Sequence, residues 1–504
     1  MKPFLLRGTA VALILSASAQ AALADLSVQD VWSDWRDYVT GMGYQLSASE
    51  SVSGGTLTVS DLTMAMTLPE DGGVLSVGLG PLVFREDGDG GVTLDMPPSM
   101  PMRIQVTGGE EEIDASFSLT QTDASLKVTG SPEDMMQLYR AGSAALVYDH
   151  MSVDGKALPP EALRAQVALS DFESRNRVRK SGADRSYDQS GAAASLSYDI
   201  AFASPNGEDS GHFSGTMQDL SFDGQSVIPA ASSGKELGDM LGAGFSVDGR
   251  FGFGSGNSQG GGKSEGEEFM MSSTSAGGSV AVKMDATNLV YDVTQMQPQI
   301  SLQTNDLPFP ISVAMETIGF RLDMPVARAA EDQPFGLGLK LIDFTMPDQL
   351  WSIFDPSAVL PRDPATIVVD LAGTAKLLVD LFDPALAEAE EAPAELTGLT
   401  IRDLHVAAVG TDLTAKGDFT FDNSRSEEFG GMPAPVGAAD LRLAGGNGLL
   451  DKLIEMGLMT DQDAMGARMM MGMIGVPGDG PDTLTSHIEV NDQGQVFANG
   501  QRLK

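Results

Sequence analysis

The stretch LTVSDLTMAM, residues 57–66, alternates like a half-buried β-strand and then loses count. Leu57 and Val59 fall on one face, Asp61 intervenes, and the apolar series resumes at Leu62, Met64 and Met66, one residue out of step. Strand side chains point alternately to opposite faces, so an unrelieved slip turns every later apolar residue to water. One extra residue in a β-bulge absorbs the slip and bends the strand. Asp suits the position, because short polar side chains bond nearby backbone groups and tolerate unusual dihedrals. The alternative is a tight turn at Asp61 between two short strands. Gly and Pro are missing at the Asp itself, which favours the bulge.

The pattern recurs. Leu337, Leu339 and Leu341 lead to Asp343, then Phe344 and Met346, while Leu399 and Ile401 lead to Asp403, then Leu404 and Val406. Asp219 stands between Met217 and Leu220, Asp171 between Leu169 and Phe172, and Asn288 between Met284 and Leu289. Looser copies pass from Met315 through Thr317 to Ile318 and from Tyr148 through His150 to Met151. Bulges add twist as they bend. The expected fold is therefore mainly β (α+β): a long, strongly curved, bulged antiparallel sheet, with an N-terminal amphipathic helix and two or three short helices near the C-terminus.

That first helix is written in SVQDVWSDWRDYVTGMGY, residues 27–44, where Val28, Val31, Trp32, Trp35, Tyr38 and Val39 recur at helical spacing before Gly41 and Gly43. A short helix is expected from Ser131-Pro132-Glu133, with Ser as cap and Pro in the first turn, and another ending near Phe382. Helices return in GNGLLDKLIEMGLM (446–459) and AMGARMMMGMIG (464–475), and the chain closes on a hairpin turning at Asn491–Gly494. The polar, glycine-rich GSGNSQGGGKSEGEE (254–268) reads as a floppy hairpin loop. The expected organisation is a leader over 1–24, a β-rich half over 25–230, a Gly/Ser-rich loop or hairpin insert over 231–278, and a second β-rich half with terminal helices over 279–504.

The leader is tripartite: Lys2 and Arg7, an apolar run from Thr9 to Ala17, and Ala22-Leu23-Ala24 before Asp25, with Ala19-Gln20-Ala21 as a second site upstream. It predicts a cleaved signal peptide and a periplasmic protein, without a lipoprotein anchor because no Cys follows the site. Later apolar runs are too short for membrane helices, so an integral membrane protein is not expected. The chain has no cysteine, which rules out disulfides and Cys-based metal or redox sites. Its 31 Lys and Arg, two of them in the leader, face 70 Asp and Glu, so the surface repels nucleic acid and anionic head groups.

This layout resembles the bacterial domain-of-unknown-function family 2125, found mainly in alphaproteobacteria. The carrying residues are the Trp32-x-x-Trp35 helix ending in Gly43, TIRDLHVAAVGTDLTAKGDFTFD (400–422), GLLDKLIEMGLM (448–459) and GQVFANG (494–500). The strand units are also similar to those of AsmA-like envelope proteins, and that likeness implies a long, curled sheet with an apolar inner face. Neither resemblance supplies catalytic residues.

Candidate chemistry is sparse. Gly256-Asn257-Ser258-Gln259-Gly260 matches G-x-S-x-G, but a serine nucleophile needs a strand-to-helix turn and this match sits in low-complexity glycine. His150, His212, His405 and His487 are scattered without metal-ligand spacing. Met465, Met469, Met470, Met471 and Met473 could offer soft thioethers to Cu(I), as could Met96, Met100 and Met102, but no His or Cys accompanies them and adaptable packing is the better reading. Glu86, Asp87 and Asp89 lack the distal Glu of a calcium loop and read as a hairpin turn. No enzyme activity, cofactor or metal is expected. The expected function is a non-enzymatic periplasmic protein whose apolar trough binds a lipid or other hydrophobic ligand, with Leu339, Leu341, Phe344, Ile401, Leu404 and Val406 as lining. The alternative is a structural or interaction component of the envelope with a self-packed sheet.

Overall fold

The computed structural model describes residues 26–504 apart from 69–72, 110, 183, 205–206, 231–235, 384–385, 387–391 and 430. The expected leader, residues 1–24, lies outside the described residues. Thirty hydrogen-bonded segments form one antiparallel sheet. Short segments often lie end to end: Val74–Leu79 and Leu82–Glu86 share the partner Thr56–Thr67, as Ser246–Phe253 and Ser255–Ser264 share Ser210–Ile228. The result is a meander of long strands, each paired with the strands before and after it. Among the described residues its two ends do not meet. Gln45–Ser53 pairs only with Thr56–Thr67, and Gln501–Arg502 only with Val496–Ala498.

The aspartates stand where the pairing slips. At Asp61 the partners step from Ser47–Thr63 to Ser49–Ser60, and at Asp343 from Leu341–Ile367 to Phe344–Ala365. Asp61, Asp171, Asp219 and Asp343 all adopt left-handed backbone, with φ of 53°, 46°, 53° and 53°. This conformation is costly for residues with a Cβ and is least so for Asp and Asn, which explains the residue type. Leu57, Val59 and Leu62 are all buried, so the apolar side chains on both sides of Asp61 stay on one face.

Breaks in the pairing also align across the sheet, although at Asp171 and Asp219 the register is the same on either side, so neither is the one-residue bulge expected there. Asp171 faces Gly142, Asp219 faces Ala194, and the strand interruptions at Gly254, Ala276, Gln297-Pro298 and Met315-Glu316 continue the same line to Asp343. These pairing breaks thus join into one crease running transverse to the strands. Asp403 forms a bulge with Arg402, where Ile401–Gly417 steps to Leu404–Ala415, but it lies off that line. The Tyr148–His150 slip is also off it, with Asp149 as the extra residue.

Four further expectations fail here. Asn288 is no bulge: it closes a hairpin, with Asp285 Oδ1 accepting from the Thr287 and Asn288 amides. Ser131-Pro132-Glu133 starts no helix; Ser131 pairs with Asp134 across a tight turn, for which Pro is equally suited. The helix expected to end near Phe382 is the strand Ala365–Leu377, whose β-branched Thr366, Ile367, Val368 and Val369 favour pleated backbone. Finally, the glycine-rich segment is no floppy loop. Ser255–Ser264 is a strand paired on both sides, turning at Glu265-Gly266. A side chain at Gly260 would meet the Phe213 ring at 2.3 Å, so glycine makes room for a neighbouring aromatic. The strands before and after this segment are consequently joined in one sheet through 246–284.

The first helix spans Val28–Gly41, capped by Ser27 and Asp30 in a reciprocal capping box. Further helices are Leu237–Gly242, Asp348–Phe354, Gly446–Glu455 and Asp461–Ile474, the last two near the C-terminus as expected. The closing hairpin is also as expected, with the Asn491 amide bonded to Gln495 O.

Candidate functional site

Cross-strand partners in an antiparallel sheet share a face, so register assigns the faces. One row runs through Leu57, Phe84, Leu94, Leu126 and Tyr139, passes Ser174 and Gly191, and continues through Phe222, Phe251, Val280, Val293, Phe320, Leu339, Val369, Leu404 and Ala415 to Leu441. A second row on the same face holds Ile318, Leu341, Ile367, Val406, Leu413, Leu443 and Leu484. On the other face the equivalent row reads Asp223, Arg250, Ala281, Asp292, Arg321, Gly338, Asp370, Asp403. The sheet is therefore apolar on one side and charged on the other from end to end.

All six sequence-derived lining residues fall on the apolar face. Leu339 and Leu404 belong to the first row, Leu341 and Val406 to the second, Ile401 pairs with Leu371, and Phe344 returns to the face beyond the bulge. They are not sealed inside. Leu339 is 42 % exposed and Phe320 37 %, although each has apolar neighbours on both adjoining strands.

Cover exists at the two ends. At the N-terminal end the first helix lies on the apolar face, burying Val28, Val31 and Trp32 against Leu57, Val59, Phe84 and Met135. Trp35 meets the Phe84 ring edge-on at 5.3 Å, and Trp32 Nε1 donates to Glu50 Oε1 at 2.7 Å. The far side of the helix reaches strands much later in sequence. Tyr38 packs on Tyr187 at 5.6 Å, and the buried Asp34 carboxylate holds Lys180 Nζ at 2.8 Å and Arg185. The sheet thus curls round the helix. At the C-terminal end, Gly446 abuts Leu443 and Met471, and Gly475 abuts Leu484.

Beneath the first helix is a cavity of about 370 Å³ lined by Trp32, Trp35, Tyr38, Leu62, Leu79 and Tyr187, among others. A wider concavity, about 1270 Å³, lies on the charged face and is lined by Asp223, Asp248, Arg250, Asp292, Arg321 and Asp323. There Arg321 pairs with Asp292 at 3.1 Å and Asp323 at 3.5 Å, so its guanidinium is engaged by neighbouring carboxylates. We regard the smaller cavity as the better ligand site, because apolar walls with few polar groups are what small-molecule sites share.

The remaining candidates resolve into structural roles. Ser258 sits mid-strand, its hydroxyl 2.8 Å from that of Ser273, with no strand-to-helix turn. His212, His405 and His487 each bond one carboxylate across the strands (Asp199, Asp412 and Asp440), and His150 lies 3.3 Å from Ser116 Oγ. Asp87 organises its turn by accepting from the Asp89 and Gly91 amides. The hydrogen bond from Lys127 and these amides hold its carboxyl below the usual range. Among the described residues no cluster of His, Cys, Asp or Glu could hold a metal. Met100 is buried, whereas Met465, Met469, Met470 and Met473 face solvent. The cavity below the helix escaped sequence reading. Its far wall comes from Gln137, Asn176 and Tyr187, which carry no periodic signal tying them to Trp32 and Trp35.

Residues 263–503 match the family described as "Uncharacterized protein conserved in bacteria (DUF2125)". Over these residues the chain belongs to that family. The family model begins inside the glycine-rich strand and takes in the open middle of the apolar face and the C-terminal helices. No curated protein matches the chain. Among solved structures, the ferric citrate transporter FecA in its unliganded form matches with 8% identity over 89% of this chain and 74% of that one. Its TM-score is 0.14, too low to relate the two folds. No described helix is long and apolar enough to cross a membrane.

Proposed function

We propose that this is a non-enzymatic exported protein that binds an elongated hydrophobic ligand, such as a lipid acyl chain, along the open middle of the apolar face. The carrying observation is that Phe320, Leu337, Leu339 and Ile367, contiguous on adjacent strands, remain 36–42 % exposed while the same face is roofed by helices at both ends. Contiguous exposed apolar side chains mark a surface that takes a partner or a ligand. A trough along that surface is what the AsmA-like resemblance implies. Periplasmic location is supported by the leader sequence over residues 1–24.

The test uses protein recovered from the periplasmic fraction, where the expected intact mass begins at Asp25. A fluorescent fatty-acid probe is titrated into the parent, Leu404→Asp and Leu341→Asp, and each is melted. A carboxylate on an open apolar wall should weaken probe binding at least about tenfold, since burying it unpaired costs several kcal/mol. The melting temperature should stay within about 5 °C of the parent. Unfolding of both variants, with no probe bound by the parent, would instead assign the sheet a self-packed structural role in the envelope.

A further inference from the structure

Two polar atoms in the cavity under the first helix are buried without a hydrogen-bond partner: the Tyr187 hydroxyl and Asn176 Oδ1. Leaving such atoms unsatisfied costs about 1–3 kcal/mol each, so their retention in an apolar pocket asks for an occupant. Register brings them together. Asn176 pairs with Gln189 and Val178 with Tyr187, so Asn176 and Tyr187 are diagonal neighbours on one face, about 7–8 Å apart at the backbone. Their side chains can therefore converge on a single small group.

We propose that this cavity binds one amphiphile whose uncharged head both donates and accepts a hydrogen bond, a primary alcohol or amide on an alkyl chain. Asn176 Oδ1 only accepts, and its amide NH₂ already donates to Gln137 Oε1 at 3.3 Å. The Tyr187 hydroxyl lies beside the Arg185 guanidinium, which can only donate to it, so its own proton is available to donate. Burial pushes its pKa up to about 12, so the proton stays on the oxygen at neutral pH. A hydroxyl head answers both atoms at once. A carboxylate head does not, because it offers Asn176 no proton. Trp32, Trp35, Leu62, Met64 and Leu79 form the walls for the alkyl body. The site shares no lining residue with the open stretch around Leu339, so it does not rest on the trough reading.

Trp32 and Trp35 make tryptophan emission a reporter of occupancy. The full chain is titrated with dodecan-1-ol, dodecanamide, dodecane and dodecanoate. The alcohol and amide should saturate at one per chain, with dodecane and dodecanoate about tenfold weaker. Tyr187→Phe should reduce the alcohol to the level of dodecane while raising the melting temperature, because it deletes an unsatisfied hydroxyl. Leu79→Trp, which fills the cavity, should abolish the signal change. Failure of every compound to saturate overturns the site and leaves water as the occupant. Preference for dodecanoate, or indifference to Tyr187→Phe, overturns the head-group assignment. Leu404→Asp should leave this titration unchanged; if it removes binding, the compound sits on the open face and the cavity proposal falls while the trough reading stands.

Discussion

Phe84 and Leu339 occupy one cross-strand row, yet Phe84 is 1 % exposed and Leu339 42 %. The two regions use the same alternation and the same charged opposite face. They differ in what lies on top. Around Phe84 the first helix supplies Val31, Trp32 and Trp35, and around Leu339 no described helix takes that place. Strand patterning therefore specifies which face is apolar, while burial is decided by a separate element. At the N-terminal end that element is part of the chain, and in the middle the face stays open.

Truncating the two positions gives the sharpest contrast. Phe84→Ala should cost about 3–5 kcal/mol in chemical denaturation, as for large buried side chains, and Leu339→Ala less than about 1 kcal/mol. Equal costs would mean that the middle is as well packed as the end. Removing the anchor of the helix tests the cover itself. Asp34→Ala leaves Lys180 and Arg185 facing each other under the helix, and about 3 kcal/mol should be lost, with Trp32 and Trp35 emission shifting to the red as the N-terminal face comes to resemble the middle. An unshifted spectrum would show the helix held by its apolar stripe alone. The smallest effect concerns the crease, which both regions share. Asp171→Val places a β-branched residue at φ 46° and should cost about 1–2 kcal/mol, whereas Asp171→Gly should stay within about 0.5 kcal/mol. If both substitutions are neutral in thermal melts, left-handed backbone is not what selects Asp there.

Much of this was legible in the sequence because it is local. The out-of-step apolar residues around Asp61 and Asp343 encode the bulges, and the spacing of Val28, Val31, Trp32 and Trp35 encodes the helix. Asn288 shows the limit, since the same polar residue between apolar runs closes a hairpin when a turn-forming Asp285 precedes it. The glycine-rich strand was misread because its stabilising partner is remote: the Phe213 ring over Gly260 comes from another strand, and composition alone cannot supply it. The alignment of pairing breaks into one crease depends on register between strands, which no single window contains. The cavity was invisible for the same reason, since Tyr187 meets Trp32 and Trp35 only because the sheet curls.

Because each strand pairs only with those before and after it, the sheet is quasi-one-dimensional, and its stability is a sum of nearest-neighbour terms more than a property of the whole. Such a chain can zip from a local hairpin, and whole hairpins can be gained or lost without rewiring the remainder. The Asp34–Arg185 ion pair departs from that rule. It ties positions 151 residues apart, and so converts the first strands from an extensible ribbon into a closed cooperative unit that must assemble together.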